Sequence, residues 1–464
     1  MKTSFDICVS SQTPLVTFKL TSEELTKKYG KFSEPIDIKN LRESVDYDFT
    51  PGGVPKMVHP SLREMKARGI VNKAFWVALN QIGPSQILVD NIVGVHVKLR
   101  TEIRGGYGAA KETLWKIIHG IGEVIKDPST VTWGEDYLSY QYYNRLCSEK
   151  MLALHKKEDF DMFYVHDFQN LLVASILRSV VTPKVFRWHI PFNEKSIPPK
   201  WYRYLSKYFG YYDSIIVSCR RYVDILKNVG FKGKMYQVYP HLDEKAYCRP
   251  SQNAVEQLCY KYGIESDDKV ILTVARMDPM KGQDIAIKAM SQVVKRIPSA
   301  KLLLIGNGSF SSSKKSGVGL SKADSWREKL LKLTQELHID QNVIFVGHAE
   351  HKELECAYAR CDATLLPSTM EGFGLVVIEG WLYEKPAIVS SEAGVAELVK
   401  DENSGLIFNS GNDSELAEKI TDLLSKSEVA NDLGERGFEC AKKCYLENGV
   451  KSVSEVLQNT IEGR

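Results

Sequence analysis

The segment ATLLPSTMEGFGLVVIEGWLYEKPAIV, Ala363 to Val389, decides the fold class. Ala363–Ser368 reads as a short apolar strand. Thr369–Gly374 reads as a loop, and a helix is expected from Gly374 to about Glu384. PAIVSS, Pro386–Ser391, reads as the next apolar strand. Apolar strands without alternation, joined through a helix, indicate a parallel sheet covered on both faces.

The pattern extends outward from there. KVILTVARM (269–277), KLLLIGNG (301–308) and NVIFVGH (342–348) are further strands, and KGQDIAIKAMSQVVKRI (281–297) is a helix between two of them. SSSKKSGVGLSKADS (311–325) reads as a polar, mobile loop. Residues 1–45 are mixed and polar, with one short helix expected at Ser22–Tyr29. At 46–70 an extended run meets a Pro-Gly-Gly turn, and Met57, Val58, Leu62 and Met65 then follow at helical spacing. AFWVAL, DMFYVHD, VFRWHIPF and SIIVSC are strand-like, each followed by a helical pattern. The expectation is an α/β chain of two Rossmann-like domains, 1–249 and 250–464. The break falls near Pro250 and Ser251, and the last helix is free to pack back on the first domain.

Composition narrows the function classes. The chain has 464 residues, 26% charged and 43% hydrophobic, with a formal net charge of +3. That balance argues against a nucleic-acid partner. No run approaches the roughly 18 apolar residues of a membrane span, and the N-terminus lacks a signal-peptide core. Nine scattered cysteines without CxxC spacing read as reduced structural thiols. A cytoplasmic location follows, so the sequons at Asn307 and Asn412 carry no weight.

Glu371 and Glu379 flank two glycines. An acid–base pair is one reading. The loop lies at the carboxyl end of a strand, where open α/β sheets bind ligands. Gly372, Phe373, Gly374 and Leu375 open a helix whose free N–H groups suit a phosphate. Glu379 lies one turn beyond, at i+4 from Leu375. That arrangement fits a sugar nucleotide, with Glu371 on the sugar and Glu379 on the ribose. Arg276 and Lys281 follow another strand end, where two cations can neutralise a departing diphosphate.

R-x4-K followed by E-G-F-G-x4-E resembles retaining nucleotide-sugar glycosyltransferases of the GT-B fold, family 4 above all, with two Rossmann-like domains facing across a cleft. The resemblance implies that Arg276 and Lys281 meet the donor diphosphate. It implies further that Gly372–Leu375 meet sugar and phosphate, that Glu379 meets the ribose, and that Gly52 and Gly53 lie against the donor phosphates. Glu371, Arg276, Lys281 and His189 would be catalytic. YGAAKETLWKIIHG, YVHDFQNLLVASILR and FRWHIPF resemble the acceptor half of trehalose-forming transferases, which implies an acceptor pocket of Tyr107, Trp115, Asp167 and His189. Two departures stand out: no S-N-R strand is found, and E-G-F-G replaces D-G-M-N. Glucose and glucose 6-phosphate both stay open as acceptor.

The implied activity is retaining transfer of a hexose, glucose first, from UDP- or ADP-glucose, forming trehalose or trehalose 6-phosphate without a metal or other cofactor. The oligomeric state is left open. KWYRYLSKYFGYY (200–212) offers an alternative, a membrane-surface helix serving a lipid-linked or cell-surface glycan acceptor. The D-x-D pairs Asp46/Asp48 and Asp159/Asp161 match a metal motif formally. A glycoside hydrolase using the two glutamates and a non-catalytic sugar-nucleotide binder complete the alternatives.

Overall fold

FDICVS, Phe5–Ser10, lies at the middle of the larger sheet, although the polar stretch around it predicts no strand. Ile7 and Val9 face one apolar layer and Cys8 the other, so a six-residue strand is covered on both sides. The computed structural model describes residues 4–122, 125–193, 197–306 and 318–463. The chain divides into two compact units, Met1–Tyr239 with Leu446–Arg464, and Pro240–Tyr445.

The first unit contains β1 (Phe5–Ser10), β2 (Val16–Phe18), β3 (Ile36–Asp37), β4 (Tyr47–Phe49), β5 (Val71–Leu79), β6 (Gln86–Val89), β7 (Ile92–Val97), β8 (Met162–His166), β9 (Lys184–Arg187), β10 (Ser214–Val217) and β11 (Lys234–Gln237). Nine of these form one sheet in the order β11-β10-β9-β8-β1-β5-β7-β6-β3. Pairing is parallel except between β6 and β7, a hairpin that breaks the strand–helix alternation and so hides both strands from a reading based on it. The last helix, Leu446–Glu462, belongs to this unit; Val450, Val453 and Leu457 join the layer that holds Met57, Val58 and Leu62. The Thr460 and Ser214 hydroxyls are 2.8 Å apart.

The second unit contains β12 (Lys269–Val274), β13 (Ala300–Ile305), β14 (Val343–Gly347), β15 (Ala363–Leu366), β16 (Ala387–Ser390) and β17 (Gly405–Phe408). All six are parallel, in the order β14-β13-β12-β15-β16-β17. Numbered from β12 this is 3-2-1-4-5-6, the doubly wound dinucleotide-binding order. The edge strand β17 was not anticipated; it is four residues long and follows a left-handed Asn403.

Two local expectations are corrected. The helix after β15 is Leu375–Trp381, shorter than expected, because Glu384 turns left-handed (φ 57°) and Lys385 N–H closes the end on Gly380 O. Of the polar stretch 311–325, residues up to 317 lie outside the described residues, as does Asn307. From Val318 the chain is helical to Glu336; Ala323 and Leu330 are buried and Trp326 packs beside them. The aromatic helix Pro199–Phe209 engages its apolar face internally: Trp201, Tyr204, Leu205 and Phe209 are buried at i, i+3, i+4 and i+8. Asp46 of the first D-x-D pair accepts from Lys28 Nζ, Tyr29 Oη and Arg42 N, which makes it a buried structural anchor. Among the described residues no helix is long and apolar enough to cross a membrane, and all nine cysteines are free thiols.

The position of β1 generates a stability prediction. Ile7 is fully buried between β5 and β8. Ile7→Ala should cost about 2–5 kcal/mol, and exposed Lys27→Ala in the helix Ser22–Tyr29 within about 0.5 kcal/mol. Urea midpoints on the purified variants check this; equal midpoints would remove β1 from the core.

Candidate active site

In the second unit, β12 and β15 are neighbours, but the chain leaves them toward opposite edges of the sheet. Ligands collect beyond the carboxyl ends of such a pair. After β12, Asp278 accepts from Met280 N (3.0 Å) and starts the turn Pro279–Lys281. Gly282 ends it at φ +67°; a Cβ there would lie 2.1 Å from Pro367 O, in the loop after β15. Only glycine allows this approach. Thr369 N–H then donates to Met280 O (2.9 Å), so the two loops are joined through their backbones.

The juncture carries an ion pair. Lys281 Nζ lies 2.7 Å from Glu371 Oε2, and Ser368 Oγ is 3.4 Å from the same oxygen. The two side chains are only 15% and 19% exposed. Partial withdrawal from water makes this pair stronger than an exposed one, which is worth about 0–1 kcal/mol. Arg276, two residues past β12, is partly exposed. Its carbonyl accepts from Gln283 Nε2 (2.6 Å), whose own oxygen accepts from Trp326 Nε1 (3.1 Å).

Glu371 bridges to Ala393, and Val395 N–H donates to Phe373 O (2.8 Å), so the loop after β16 supports the loop after β15. Gly374 takes φ +109°; a Cβ would meet Leu366 Cδ2 at 2.5 Å. No side chain caps the helix that begins at Leu375. In its first turn Val377 N–H donates to Gly374 O (3.0 Å), which leaves the Leu375 and Val376 N–H groups as the donors of the helix start. Glu379 is held by two phenols that its local sequence does not announce. Tyr247 Oη donates to one carboxylate oxygen at 2.9 Å and Tyr358 Oη to the other at 2.7 Å. Burial, then the Glu379 charge, pushes both phenols upward, so both remain donors.

In the first unit the order reverses at β1, with β5 on one side and β8 on the other. Ser10 Oγ donates to Asn170 Oδ1 (3.5 Å), and Asn170 Nδ2 donates to His166 O (3.2 Å). Asp167 follows β8 at φ 58°, ψ 167°, a region left almost entirely to glycine. Its carboxylate accepts from His189 N–H at 2.7 Å. Burial raises the Asp167 carboxyl to about 7, opposed by the His189 N–H and by Arg187. His166 Nδ1 is 2.9 Å from His189 Nε2. Burial, then Arg187, drives the His166 imidazole well below its usual value, so that ring is neutral. The buried Arg187 guanidinium donates at 3.4 Å to Tyr164 Oη and to Val238 O.

The remaining sequence candidates are scattered. Gly52 is the N-cap of the helix Gly53–Ala67, whose start no side chain caps; a Cβ on Gly52 would lie 3.1 Å from Thr13 Cγ2, just past β1. Gly53 opens that helix with free space around it. Tyr107 is 4% exposed and packs on Tyr143 with ring centroids 4.6 Å apart, in the core of the helical layer. Trp115 is half-buried and packs on His119, with ring centroids 4.5 Å apart and planes tilted by 31°. The structure thus brings together Lys281 with Glu371, and Asp167 with His189. It adds His166, Tyr247 and Tyr358, which sequence reasoning did not place in a site. Among the described residues no three metal-ligating side chains converge.

Two family descriptions match successive parts of the chain: "Trehalose synthase, N-terminal domain" over residues 88–224 and "Glycosyl transferases group 1" over residues 255–439. A trehalose synthase of Thermococcus litoralis is 24% identical over 293 residues, 62% of this chain and 66% of its own. An N-acetyl-alpha-D-glucosaminyl L-malate synthase of Bacillus anthracis is 26% identical over 221 residues, 47% of this chain and 52% of its own. The chain spans about half the length of several curated relatives that it matches. A solved trehalose-6-phosphate protein from E. coli, bound with UDP-2-fluoro glucose, shares the fold over 98% of this chain and 99% of its own, with TM-score 0.72 and 17% identity. The chain therefore has the GT-B fold, and successive parts of it are similar to the N-terminal domain of trehalose synthases and to group 1 glycosyl transferases.

Proposed function

We propose that this chain is a retaining hexosyltransferase that moves glucose from a nucleoside diphosphate sugar to glucose or glucose 6-phosphate, giving trehalose or its phosphate. The observation that carries the reading is the group at the β12/β15 reversal: Arg276, the Lys281–Glu371 pair and an uncapped helix start at one strand edge. Cations and free N–H groups at such an edge suit a diphosphate. Relatives named trehalose synthase support the product class, and the fold neighbour bound with UDP-2-fluoro glucose supports the donor class.

In this reading the donor diphosphate lies over the Gly372–Leu375 backbone. Lys281 has three N–H donors, so it can keep Glu371 and still meet a phosphate. Arg276 and Lys281 stabilise charge that grows on the leaving diphosphate as the glucosyl carbon becomes oxocarbenium-like. The leaving oxygen takes the acceptor hydroxyl proton on the same face, which retains the anomeric configuration. Glu371, oriented by Lys281 and Ser368, contacts the sugar. Glu379 meets the ribose with lone pairs not used by Tyr247 and Tyr358, since a carboxylate offers about four. Asp167, His189 and Trp115 serve the acceptor. The lipid-linked acceptor loses its structural support, because the aromatic face of Pro199–Phe209 is buried.

The deciding experiment incubates the purified chain with UDP- or ADP-glucose and with glucose or glucose 6-phosphate. Nucleotide release and an α,α-linked disaccharide by NMR are expected; turnover only with lipid extract, or nucleotide binding without turnover, would overturn the reading. Arg276→Ala and Lys281→Ala should each lower kcat by about 10²–10³-fold. Full activity in either variant, with its melting temperature intact, removes the donor site from this edge. Glu379→Ala should raise the donor KM about tenfold or more and change kcat little; an unchanged KM removes Glu379 from the ribose.

A further inference from the structure

His189 is held at both ends by two consecutive residues of β8 and its exit. Its main-chain N–H donates to Asp167 (2.7 Å) and its ring Nε2 meets His166 Nδ1 (2.9 Å). Asp167 adopts φ 58°, ψ 167° to do this, a conformation that costs a non-glycine residue about 1–3 kcal/mol. His166 is 1% exposed; Tyr164 packs on it at 4.2 Å and Trp76 is stacked at 6.3 Å. Its other nitrogen, Nε2, is buried without a hydrogen-bond partner.

That orphan nitrogen decides where the shared hydrogen lies. A neutral imidazole carries one N–H. If His189 Nε2 donated, His166 would accept at Nδ1 and bury an unsatisfied N–H at Nε2. If His166 Nδ1 donates, the orphan at Nε2 is a lone pair. Buried orphan donors are rarer in native proteins than under-satisfied acceptors. The second arrangement leaves His189 Nε2 as acceptor and places its own hydrogen on Nδ1.

We infer that His166 is a positioning residue: it donates from Nδ1 to His189 and fixes the His189 ring as its Nδ1–H tautomer, the form in which that ring acts in the transfer. A second-residue partner that fixes tautomer and orientation is a recurrent device where histidine does chemistry. The role in turnover rests on the transfer reaction proposed above; the tautomer does not.

Two measurements separate these. In ¹⁵N-histidine-labelled protein, long-range ¹H–¹⁵N spectra, with His189 assigned by its loss in His189→Gln, should show His189 protonated at Nδ1. His166→Phe, which keeps ring volume but no donor, should release it toward the Nε2–H form. His189 found as the Nε2–H tautomer in the wild type overturns the inference, whether or not turnover is ever seen. With an active donor and acceptor, His166→Phe should lower kcat about 10–100-fold with the donor KM unchanged within twofold. His166→Asn, which returns a donor near Nδ1, should recover most of the loss. His166→Phe combined with His189→Ala should be no slower than His189→Ala alone. Wild-type kcat in His166→Phe, or losses that multiply in the double variant, contradict a positioning role. Full activity in His189→Ala would instead remove His189 from the transfer and leave the tautomer result standing.

Discussion

Lys281 and Glu371 leave the second sheet on adjacent strands whose connections run to opposite edges, and their 2.7 Å contact joins the two exits. A reversal in strand order leaves a gap at the carboxyl edge that no crossover helix fills. The neighbouring features serve that juncture. Gly282 lets one loop lie on Pro367, Thr369 ties the backbones together, and Gly374 lets the next helix start close to Leu366. Glycine appears where a Cβ would strike the opposite loop at 2.1 Å or its own strand's end at 2.5 Å.

The first unit uses the same constraint with different chemistry. At its reversal beside β1 lies a compact buried set, His166, Asp167, Asn170 and Arg187, with His189 next to it. Burial keeps His166 neutral and raises Asp167 to about 7, while the Arg187 guanidinium keeps its charge beside them. Such an environment suits neutral hydroxyls. The charged edge at β12/β15 suits a diphosphate. The contrast between the two edges is the physical basis for reading one as acceptor-facing and the other as donor-facing.

Much of this was legible in the residues because it is local. The strand–loop–helix of Ala363–Val389, the turn after β12 and the R-x4-K spacing each depend on neighbours within about ten positions. What escaped depends on distant partners. Phe5–Ser10 is too short and too polar at Asp6 and Ser10 to stand out, and it is a strand because β5 and β8 cover its edges. Tyr247 and Tyr358 reach Glu379 from 132 and 21 positions away, with no motif to mark them. Tyr107 looks like a pocket aromatic in sequence, but its place on the helix Thr101–His119 turns it into the core against Tyr143. His166 was visible beside Asp167, yet only the fold shows that its ring meets His189.

The central claim is that a sugar nucleotide sits at the β12/β15 edge. A crystal structure of the protein soaked with UDP-glucose tests it most directly. The account predicts the diphosphate within hydrogen-bond distance of Arg276, Lys281 and the backbone N–H groups at Gly374–Leu375, with the ribose on Glu379. A sugar nucleotide bound elsewhere, with the Lys281–Glu371 pair untouched, would contradict it.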